Sequence, residues 1–252
     1  MIDRLKKSLA KDKACIAAWC TMRDPQLIEQ IAQQPFDAIV LDGQHGFFDD
    51  ASILDAIPPI VKAGKSPLVR IPVGRWDLVE KSLDYGALGI IAPMINCRED
   101  AEAFAHAAKY PTIGERSYSP RYAANMYGAE VNTYLNKANK STFALAMVET
   151  QQAYDALDDI LEVKGIDGIL IGPADFSISV RKNVIPDPYG KDTVKLVKDI
   201  SKRTLAAGKV AAAFTMTPEH TKLVHSFGYR LYSVALDTQL VQLGAQQMLP
   251  KR

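Results

Sequence analysis

The sequence feature that most constrains the fold is an alternation, repeated eight times, of a short apolar run and a segment with helical spacing. The apolar runs predict strands at 14–19, 36–41, 67–71, 88–92 and 143–148, in the run that ends at Gly172, and at 210–214 and 231–236. Strands separated by helices must pair in parallel, because a parallel neighbour requires a long crossover. The alternation therefore predicts an α/β fold, a (β/α)8 barrel.

The length of 252 residues is typical of one such barrel, so we expect a single domain over 1–252. An open doubly wound sheet is the alternative arrangement of the same elements. The sequence has no G-x-G-x-x-G after the first strand and no G-x-x-x-x-G-K-[ST], so neither usual nucleotide cradle is present. These observations favour the barrel.

Several helix boundaries are predicted from local chemistry. Asp24-Pro25 and Thr217-Pro218 combine an N-cap residue with proline at the first helical position, and Asn96 is a candidate N-cap for the helix through Ala108. In the helix predicted from about residue 51, two consecutive prolines at 58 and 59 are expected to kink or interrupt it.

The segment 110–128 breaks the alternation. It is long for a connection inside a compact domain, which is more typical of a functional loop, and it carries Arg116 and Arg121.

Composition excludes several classes of function. The net charge is +1, with 30 basic and 29 acidic residues and no basic block, so a nucleic acid is not an expected partner. Cys15, Cys20 and Cys97 lack C-x-x-C spacing and are expected to be reduced, packed thiols. The N-terminus lacks the apolar core of a signal peptide and no later run approaches membrane-spanning length, so we expect a cytoplasmic protein without membrane contact.

In a (β/α)8 barrel the active site lies at the carboxyl ends of the strands. Six polar residues lie at the end of a predicted strand or shortly after it, and they therefore share one expected mouth: Asp42, Gln44, His45, Arg70, Glu149 and Asp175. The other histidines, His106, His220 and His225, fall within predicted helices and are interpreted as structural.

Glu149 and Asp175 are the candidate metal ligands of this set. They are 26 residues apart, about one strand, helix and return, and neighbouring parallel strands lie about 4.8 Å apart. Both carboxylates could then reach one cation. The alternative is that Glu149 begins a helix and Asp175 caps a turn, as acidic residues often do.

Six short runs then resemble a known family, the HpcH/HpaI family of class II pyruvate aldolases, typified by 4-hydroxy-2-oxoheptanedioate aldolase. They are L-D-G-Q-H-G at 41–46, P-L-V-R at 67–70, A-P-M at 92–94, G-E-R-S at 114–117, V-E-T at 148–150 and G-P-A-D-F-S at 172–177. The resemblance extends over essentially the whole chain, and the joint occurrence of the runs in this order makes it specific.

The resemblance implies roles for five residues. Glu149 and Asp175 match residues that bind a divalent metal, Mg²⁺ or Mn²⁺ with Co²⁺ as a further candidate. Arg70 matches the residue that contacts the pyruvate part of the substrate, and His45, supported by Asp42, matches the acid-base group. The resemblance also implies a homo-oligomer, a hexamer in which the C-terminal helix is exchanged between neighbours.

The chain departs from the heptanedioate type at two positions. Gln44 stands where those members usually have Glu, and Met147 where they usually have Gln. A branch of the family shares both residues and the R-S-x-x-P-R loop at 116–121. Met147 cannot donate a strong hydrogen bond to a metal-bound water, so the surroundings of the metal are expected to differ.

The residues themselves are compatible with the chemistry of a metal-dependent lyase. A cation on two carboxylates keeps positions open for a 2-oxo acid, and Arg70 can stabilise negative charge on its keto oxygen. Backbone N–H groups around Gly172, Ala174 and Asp175 are candidates to bind the substrate carboxylate. No lysine ends a predicted strand, which disfavours a Schiff-base mechanism.

Three functions therefore remain open. The first is cleavage of a 4-hydroxy-2-oxo acid to pyruvate and an aldehyde. The second is lyase chemistry on a coenzyme A thioester, as in relatives of the citrate lyase β subunit, for which Arg75, Arg116 and Arg121 would have to form a basic pocket. The third is a barrel that binds a small 2-oxo acid without catalysis.

The C-terminal segment has apolar residues on more than one side: Leu240, Val241, Leu243, Met248 and Leu249. A helix that merely covers the barrel needs less apolar surface, so a partner subunit is the expected cover. The alternative is that Gly244 ends a short helix and the tail folds back onto its own barrel.

Overall fold

The computed structural model describes residues 2–10 and 14–250. The expected domain over 1–252 therefore includes six residues that lie outside the described part, at 1, 11–13 and 251–252. The strands are β1 (Cys15–Cys20), β2 (Ala38–Asp42), β3 (Ser66–Arg70), β4 (Gly89–Ala92), β5 (Phe143–Val148), β6 (Gly168–Ile171), β7 (Val210–Ala213) and β8 (Leu231–Leu236). Each strand pairs in parallel with the next, and β8 pairs with β1 to close the sheet. The predicted (β/α)8 barrel is confirmed.

Helices follow the strands and surround the barrel. They are α1 (Arg4–Leu9), α2 (Pro25–Ala32), α3 (Asp50–Lys62), α4 (Trp76–Asp84), α5 (Arg98–Ala108), α6 (Arg121–Met126), α7 (Val131–Ser141), α8 (Gln151–Asp155), α9 (Leu157–Glu162), α10 (Pro173–Arg181), α11 (Lys191–Ala206), α12 (Pro218–Ser226) and α13 (Asp237–Met248). Among the residues that the structure describes, no helix combines the length and the apolar character needed to cross a bilayer.

The strands are short apolar runs because both of their faces are covered. Every residue of β2, β4 and β6 is buried, with the barrel interior on one side and the outer helices on the other. Such continuous apolar runs are characteristic of parallel sheets. The arrangement brings the polar residues that follow the strands to one mouth.

Two of the three predicted N-caps are confirmed. The side chain of Asp24 accepts a hydrogen bond from Leu27 N at 2.8 Å, and the side chain of Thr217 accepts one from His220 N at 3.3 Å. The prediction for Asn96 is wrong, because Cys97 occupies the N-cap position of α5. The side chain of Asn96 turns instead toward the end of β4 and the start of α8.

Of the predicted kink or interruption at Pro58 and Pro59, the interruption is wrong, because α3 runs continuously through both residues. A proline inside a helix costs about 3 kcal/mol. The same helix buries Ile53, Ile57 and Ile60 completely, and each buried isoleucine stabilises the fold by about 1.5–3 kcal/mol. The two prolines together cost about 6 kcal/mol and the three isoleucines supply about 4.5–9 kcal/mol, so burial of the apolar face offsets the cost of the prolines.

The segment at 110–128 interrupts the alternation of strands and helices, as the sequence predicts. The segment at 110–128 is irregular up to Pro120 and then forms the short helix α6.

The alternative in which the C-terminal helix ends at Gly244 is wrong, because α13 continues through this glycine to Met248. Residues 241–250 are all exposed, so the tail does not fold back onto its own barrel.

Candidate active site

A cavity of about 260 Å³ opens at the carboxyl ends of the strands. Its walls combine ionisable groups with aromatic and aliphatic side chains: Trp19, Thr21, Asp42, His45, Arg70, Met147, Gly172, Pro173, Ala174, Asp175, Phe214 and Leu236. The sequence-predicted residues Asp42, His45, Arg70 and Asp175 are thus brought together around one space. Glu149 lies directly behind its wall, as its contacts below show.

Asp42 and Arg70 form a two-pronged ion pair on one side of the cavity. The two residues are register partners at the ends of β2 and β3. Arg70 Nε donates to Asp42 Oδ1 at 2.9 Å, and Arg70 Nη2 donates to Asp42 Oδ2 at 2.5 Å. This geometry fixes the plane of the guanidinium and leaves Nη1 free of the carboxylate.

Trp19, at the end of β1, completes this corner. Its indole Nε1 donates to Asp42 Oδ2 at 3.1 Å, and its ring lies 5.0 Å from the Arg70 guanidinium carbon. Phe214 packs edge-on against the indole, with ring centres 5.0 Å apart. The arginine is therefore held by a carboxylate and by an aromatic face.

The environment of Asp42 favours its ionised form. Burial alone raises the pKa of this carboxyl, but the hydrogen bonds and charge of Arg70, together with the bond from Trp19, lower the pKa overall below its ordinary value. Asp42 Oδ1 also accepts the backbone N–H groups of Gln44 at 3.0 Å and His45 at 3.2 Å. A buried carboxylate with five hydrogen bonds remains charged and rigid.

His45 lies on the turn after β2, and its exposed side chain faces the cavity. The sequence suggested that Asp42 orients the imidazole. The carboxylate instead holds the backbone of the turn and the guanidinium of Arg70, and its contact with His45 is to the backbone N–H. Asp42 therefore places His45 through the loop, without a bond to the ring.

Glu149 follows β5 and is buried, with 4% of its surface exposed. Its Oε1 accepts the backbone N–H of Met94 at 2.8 Å. A Cβ atom at Gly172 would lie 2.8 Å from Glu149 Oε2, so glycine at this position keeps the space beside that oxygen free. The carboxylate is held at one oxygen and has room at the other.

Burial raises the pKa of Glu149, and the nearby charge of Asp175 raises it further; the N–H of Met94 and the charge of Arg70 act in the opposite direction without reversing the shift. A cation between Glu149 and Asp175 would relieve both effects. The electrostatics of the two carboxylates therefore fit a divalent metal.

Asp175 occupies the first turn of α10, where its side chain is exposed to the cavity. Gly172 is the N-cap and Pro173 the first helical residue, so the N–H groups of Ala174 and Asp175 are the first that the helix presents. Such N–H groups at the positive end of a helix bind anions. The candidate carboxylate-binding groups therefore adjoin a candidate metal ligand.

Within the described ranges, no group of three or more His, Cys, Asp or Glu side chains is placed to hold a metal ion. Two carboxylates remain sufficient for Mg²⁺ or Mn²⁺, which commonly retain water and bind substrate oxygens. Glu149 and Asp175 supply the hard oxygen donors that these ions prefer. The residues present thus fit a cation that is shared with substrate.

The two departures noted in the sequence lie close to this site. Met147 is buried to 2% exposure and contributes to the cavity wall, so a thioether stands close to the carboxylates. The Oε1 atom of Gln44 is buried without a hydrogen-bond partner in the described part of the chain. Because a thioether replaces an amide at position 147, the cavity wall at this position is less polar than a Gln would make it.

The arginines considered for a nucleotide pocket are mostly engaged elsewhere. Arg116 is buried and donates to Asp84 at 2.6 Å, and Arg75 donates to Asp50 and to Asp77 at 2.8 Å. Arg121 is exposed on α6. Two of the three arginines are therefore paired with carboxylates of this chain.

Sequence reasoning missed three participants. Trp19 ends a predicted strand, and its position at the mouth is the signal that could have identified it. Met94 acts through its backbone, which adopts a left-handed conformation with φ of 56°, and no side-chain pattern reveals this. Asn96 bridges Met94 and Thr150 through its amide, whereas its sequence context predicts a helix cap.

A parallel barrel whose carboxylates, arginine and histidine gather at the carboxyl ends of its strands has the architecture of enzymes that bind substrate at that face. Residues 16–242 match the family described as HpcH/HpaI aldolase/citrate lyase, and the chain belongs to this family.

Relatives with assigned activities cover the chain almost completely. A hydroxypyruvate/pyruvate aldolase of Rhizorhabdus wittichii is 30% identical over 248 residues, covering 98% of each chain. A 2-keto-3-deoxy-L-rhamnonate aldolase of Shigella sonnei is 30% identical over 250 residues, covering 99% of this chain and 92% of the relative. The crystal structure of an HpcH/HpaI aldolase from Desulfitobacterium hafniense superimposes with a TM-score of 0.87 at 23% identity, covering 98% and 97%. That structure shares the fold.

Proposed function

We propose that this protein is a metal-dependent aldolase that reversibly cleaves a 4-hydroxy-2-oxo acid to pyruvate and an aldehyde. The observation that carries the proposal is the gathering of His45, Arg70 and Asp175 around one cavity, with Glu149 Oε2 next to Gly172 of its wall. The relatives described as pyruvate and 2-keto-3-deoxy acid aldolases support the same class of substrate.

Glu149 and Asp175 would hold Mg²⁺, Mn²⁺ or Co²⁺, which supplies Lewis-acid stabilisation of the pyruvate enolate when bound. The N–H groups of Ala174 and Asp175, beside Gly172, would bind the carboxylate of the substrate. These contacts orient the 2-oxo acid with its keto oxygen toward Arg70.

Arg70 then supports the charge that develops on that oxygen. Its Nε and Nη2 each donate one hydrogen bond to Asp42, so the two N–H groups of Nη1 and the second N–H of Nη2 are left to donate to the substrate. Because the guanidinium is fixed before substrate arrives, little reorganisation is required as the C3–C4 bond breaks.

His45 is the group that would take the proton of the C4 hydroxyl as the C3–C4 bond breaks, which leaves the aldehyde and an enolate. The enolate would become pyruvate by gaining a proton at C3, and condensation would run the same steps in reverse. Its side chain faces the cavity from the turn that Asp42 holds. An imidazole is the usual base for such a proton at neutral pH.

The cavity walls indicate where the aldehyde half would lie. The rings of Trp19 and Phe214 and the side chain of Leu236 give the cavity lining a large apolar part. Among the described residues that line the cavity, the cationic or basic side chains are Arg70 and His45, both with assigned roles. These features support an uncharged aldehyde fragment.

We further propose that the protein is a homo-oligomer, a hexamer by resemblance to its family. Val241, Leu243, Met248 and Leu249 are each more than half exposed on the single chain. An apolar face of this kind is normally covered by another subunit.

The experiment that tests the proposed activity is release of pyruvate from a panel of 4-hydroxy-2-oxo acids, with and without Mn²⁺ after chelation. Metal-dependent release supports the proposal. Release from coenzyme A thioesters alone would favour the thioester lyase, and 2-oxo acid binding without turnover would favour a binding barrel.

A further inference from the structure

Met94 holds a backbone conformation that its side chain disfavours. Its φ of 56° lies in the left-handed region, where a residue with a Cβ atom is rarely found. The side chain is 39% exposed, so core packing does not compel this conformation. Left-handed non-glycine residues persist where their surroundings hold them, and they concentrate at functional sites.

The conformation aims the backbone N–H of Met94 at Glu149. The donated bond to Oε1 is 2.8 Å long and joins the turn after β4 to the residue after β5. Since Gly172 borders the other oxygen, the carboxylate is confined between two backbone turns. A rotation of the Met94 peptide would remove this donor from a buried carboxylate.

Asn96 connects the same two turns through both ends of its amide. Its Nδ2 donates to Met94 O at 3.1 Å, and its Oδ1 accepts the hydroxyl of Thr150, the residue that follows Glu149. The Thr150 hydroxyl in turn accepts Ala153 N at 3.0 Å and so caps α8. Asn96 thus ties the strained turn to the segment that carries Glu149.

We propose that Asn96 is a positioning residue for the metal site: it holds Met94 in the left-handed conformation and thereby fixes the Glu149 carboxylate for a divalent cation. The inference rests on the proposed function in taking Glu149 as a metal ligand. Partners that orient a metal ligand typically change metal affinity by about 10–100-fold when removed.

The test is the dissociation constant for Mn²⁺, measured by calorimetry on the full-length protein. Asn96→Ala is expected to weaken binding about 10-fold or more. Glycine adopts positive φ without steric cost, so Asn96→Ala combined with Met94→Gly should regain most of the lost affinity, with Met94→Gly alone as the reference. A merely structural asparagine would show no such rescue.

Asn139 provides a matched control. Its amide also bridges backbone atoms, accepting Tyr110 N at 2.8 Å and donating to Tyr110 O at 2.9 Å. Asn139 lies on α7 and Tyr110 follows α5, so neither belongs to the turn after β4 or to the segment after β5. Asn139→Ala should lower the melting temperature and leave Mn²⁺ affinity unchanged. If Asn96→Ala does not fold, Met94→Val serves, since a β-branched residue strongly disfavours positive φ.

The outcomes separate the two proposals. If the wild-type protein does not bind Mn²⁺, the metal site is wrong and the role of Asn96 falls with it. If the wild type binds but Asn96→Ala and Met94→Val bind equally well, the metal site stands and the positioning role is overturned. Weakened binding in Asn96→Ala without rescue by glycine overturns the route through Met94.

Discussion

Arg70 and Asp42 lie side by side at the ends of β3 and β2 and are joined by two hydrogen bonds, Nε to Oδ1 at 2.9 Å and Nη2 to Oδ2 at 2.5 Å. The Asp42 carboxylate also binds the Trp19 indole and the backbone of the His45 turn. The buried Asp42 carboxylate thus holds Arg70, the turn that carries His45, and the aromatic side chain of Trp19 in place.

Replacing Asp42 by Asn should therefore destabilise the protein by about 2–3 kcal/mol at pH 7, because a charged acceptor is lost from several hydrogen bonds. The folded-state pKa of Asp42 is lowered, so its contribution to stability is present above the ordinary aspartate pKa of 3.8 and is lost as the pH falls through the folded pKa. Urea unfolding at pH 7 and below pH 4 measures the difference.

Asp55, exposed on α3, is the control for that experiment. Asp55→Asn should change the free energy of unfolding little at either pH. If the difference between Asp42→Asn and wild type does not shrink as the pH is lowered stepwise below 3.8, the ionised pair is not its source.

Glu149→Gln should raise the melting temperature of the metal-free protein, since it removes a buried charge beside Asp175. The folded-state pKa of Glu149 is raised, so the cost of its ionised form grows as the pH rises above the ordinary value of 4.5. The advantage of the variant should thus be larger at pH 8 than at pH 5.

With saturating Mn²⁺ the wild type should melt at a higher temperature than Glu149→Gln, because a ligand that binds only the folded state stabilises it and the variant lacks one metal ligand. Asp175→Ala should likewise gain little from the metal. Thermal unfolding with chelator and with Mn²⁺ measures the gain in melting temperature for wild type and for each variant. Equal gains from Mn²⁺ in wild type and in both variants would contradict the metal assignment.

His45→Ala should lose cleavage by about 100-fold or more while retaining Mn²⁺ and pyruvate binding, because the base acts on the C4 hydroxyl alone. Cleavage rates and calorimetry on the same preparation separate the two effects. His106, on α5, is the control position, and His106→Ala should cleave normally. An acidic limb of the rate profile that survives in His45→Ala would place the base elsewhere.

Deleting the residues after Gln239 should yield smaller species with a lower melting temperature, because the apolar face of α13 is lost from the assembly. Light scattering coupled to size exclusion measures the mass directly. A monomeric wild type, or a truncated form with unchanged mass, would refute the proposed role of the helix.

The barrel and the mouth could be predicted because both follow from local patterns. Eight apolar runs separated by helices leave few alternatives, and the carboxyl ends of parallel strands converge. This is how Asp42 and Arg70 could be expected near each other although 28 residues separate them.

Features that depend on tertiary contacts could not be predicted in this way. The prolines of α3 are tolerated because the buried face of that helix stabilises it, which a local rule does not weigh. The left-handed Met94 and the bridging amide of Asn96 exist only once β4 and β5 lie side by side. The Asp42 carboxylate likewise binds the Arg70 guanidinium and the backbone of the His45 turn instead of the imidazole, and these contacts depend on the pairing of β2 with β3.

The most direct test of the central claim is exchange of the C3 protons of pyruvate with deuterated water, followed by NMR. Enolisation needs the metal site and Arg70 but no aldehyde, so exchange should be fast with Mg²⁺ and fall to background after chelation. In Arg70→Lys it should fall about 100-fold or more, because a point charge on a flexible stem cannot replace the fixed planar donor. Exchange that is independent of metal, or that proceeds at the wild-type rate in Arg70→Lys, would contradict a metal-assisted pyruvate aldolase.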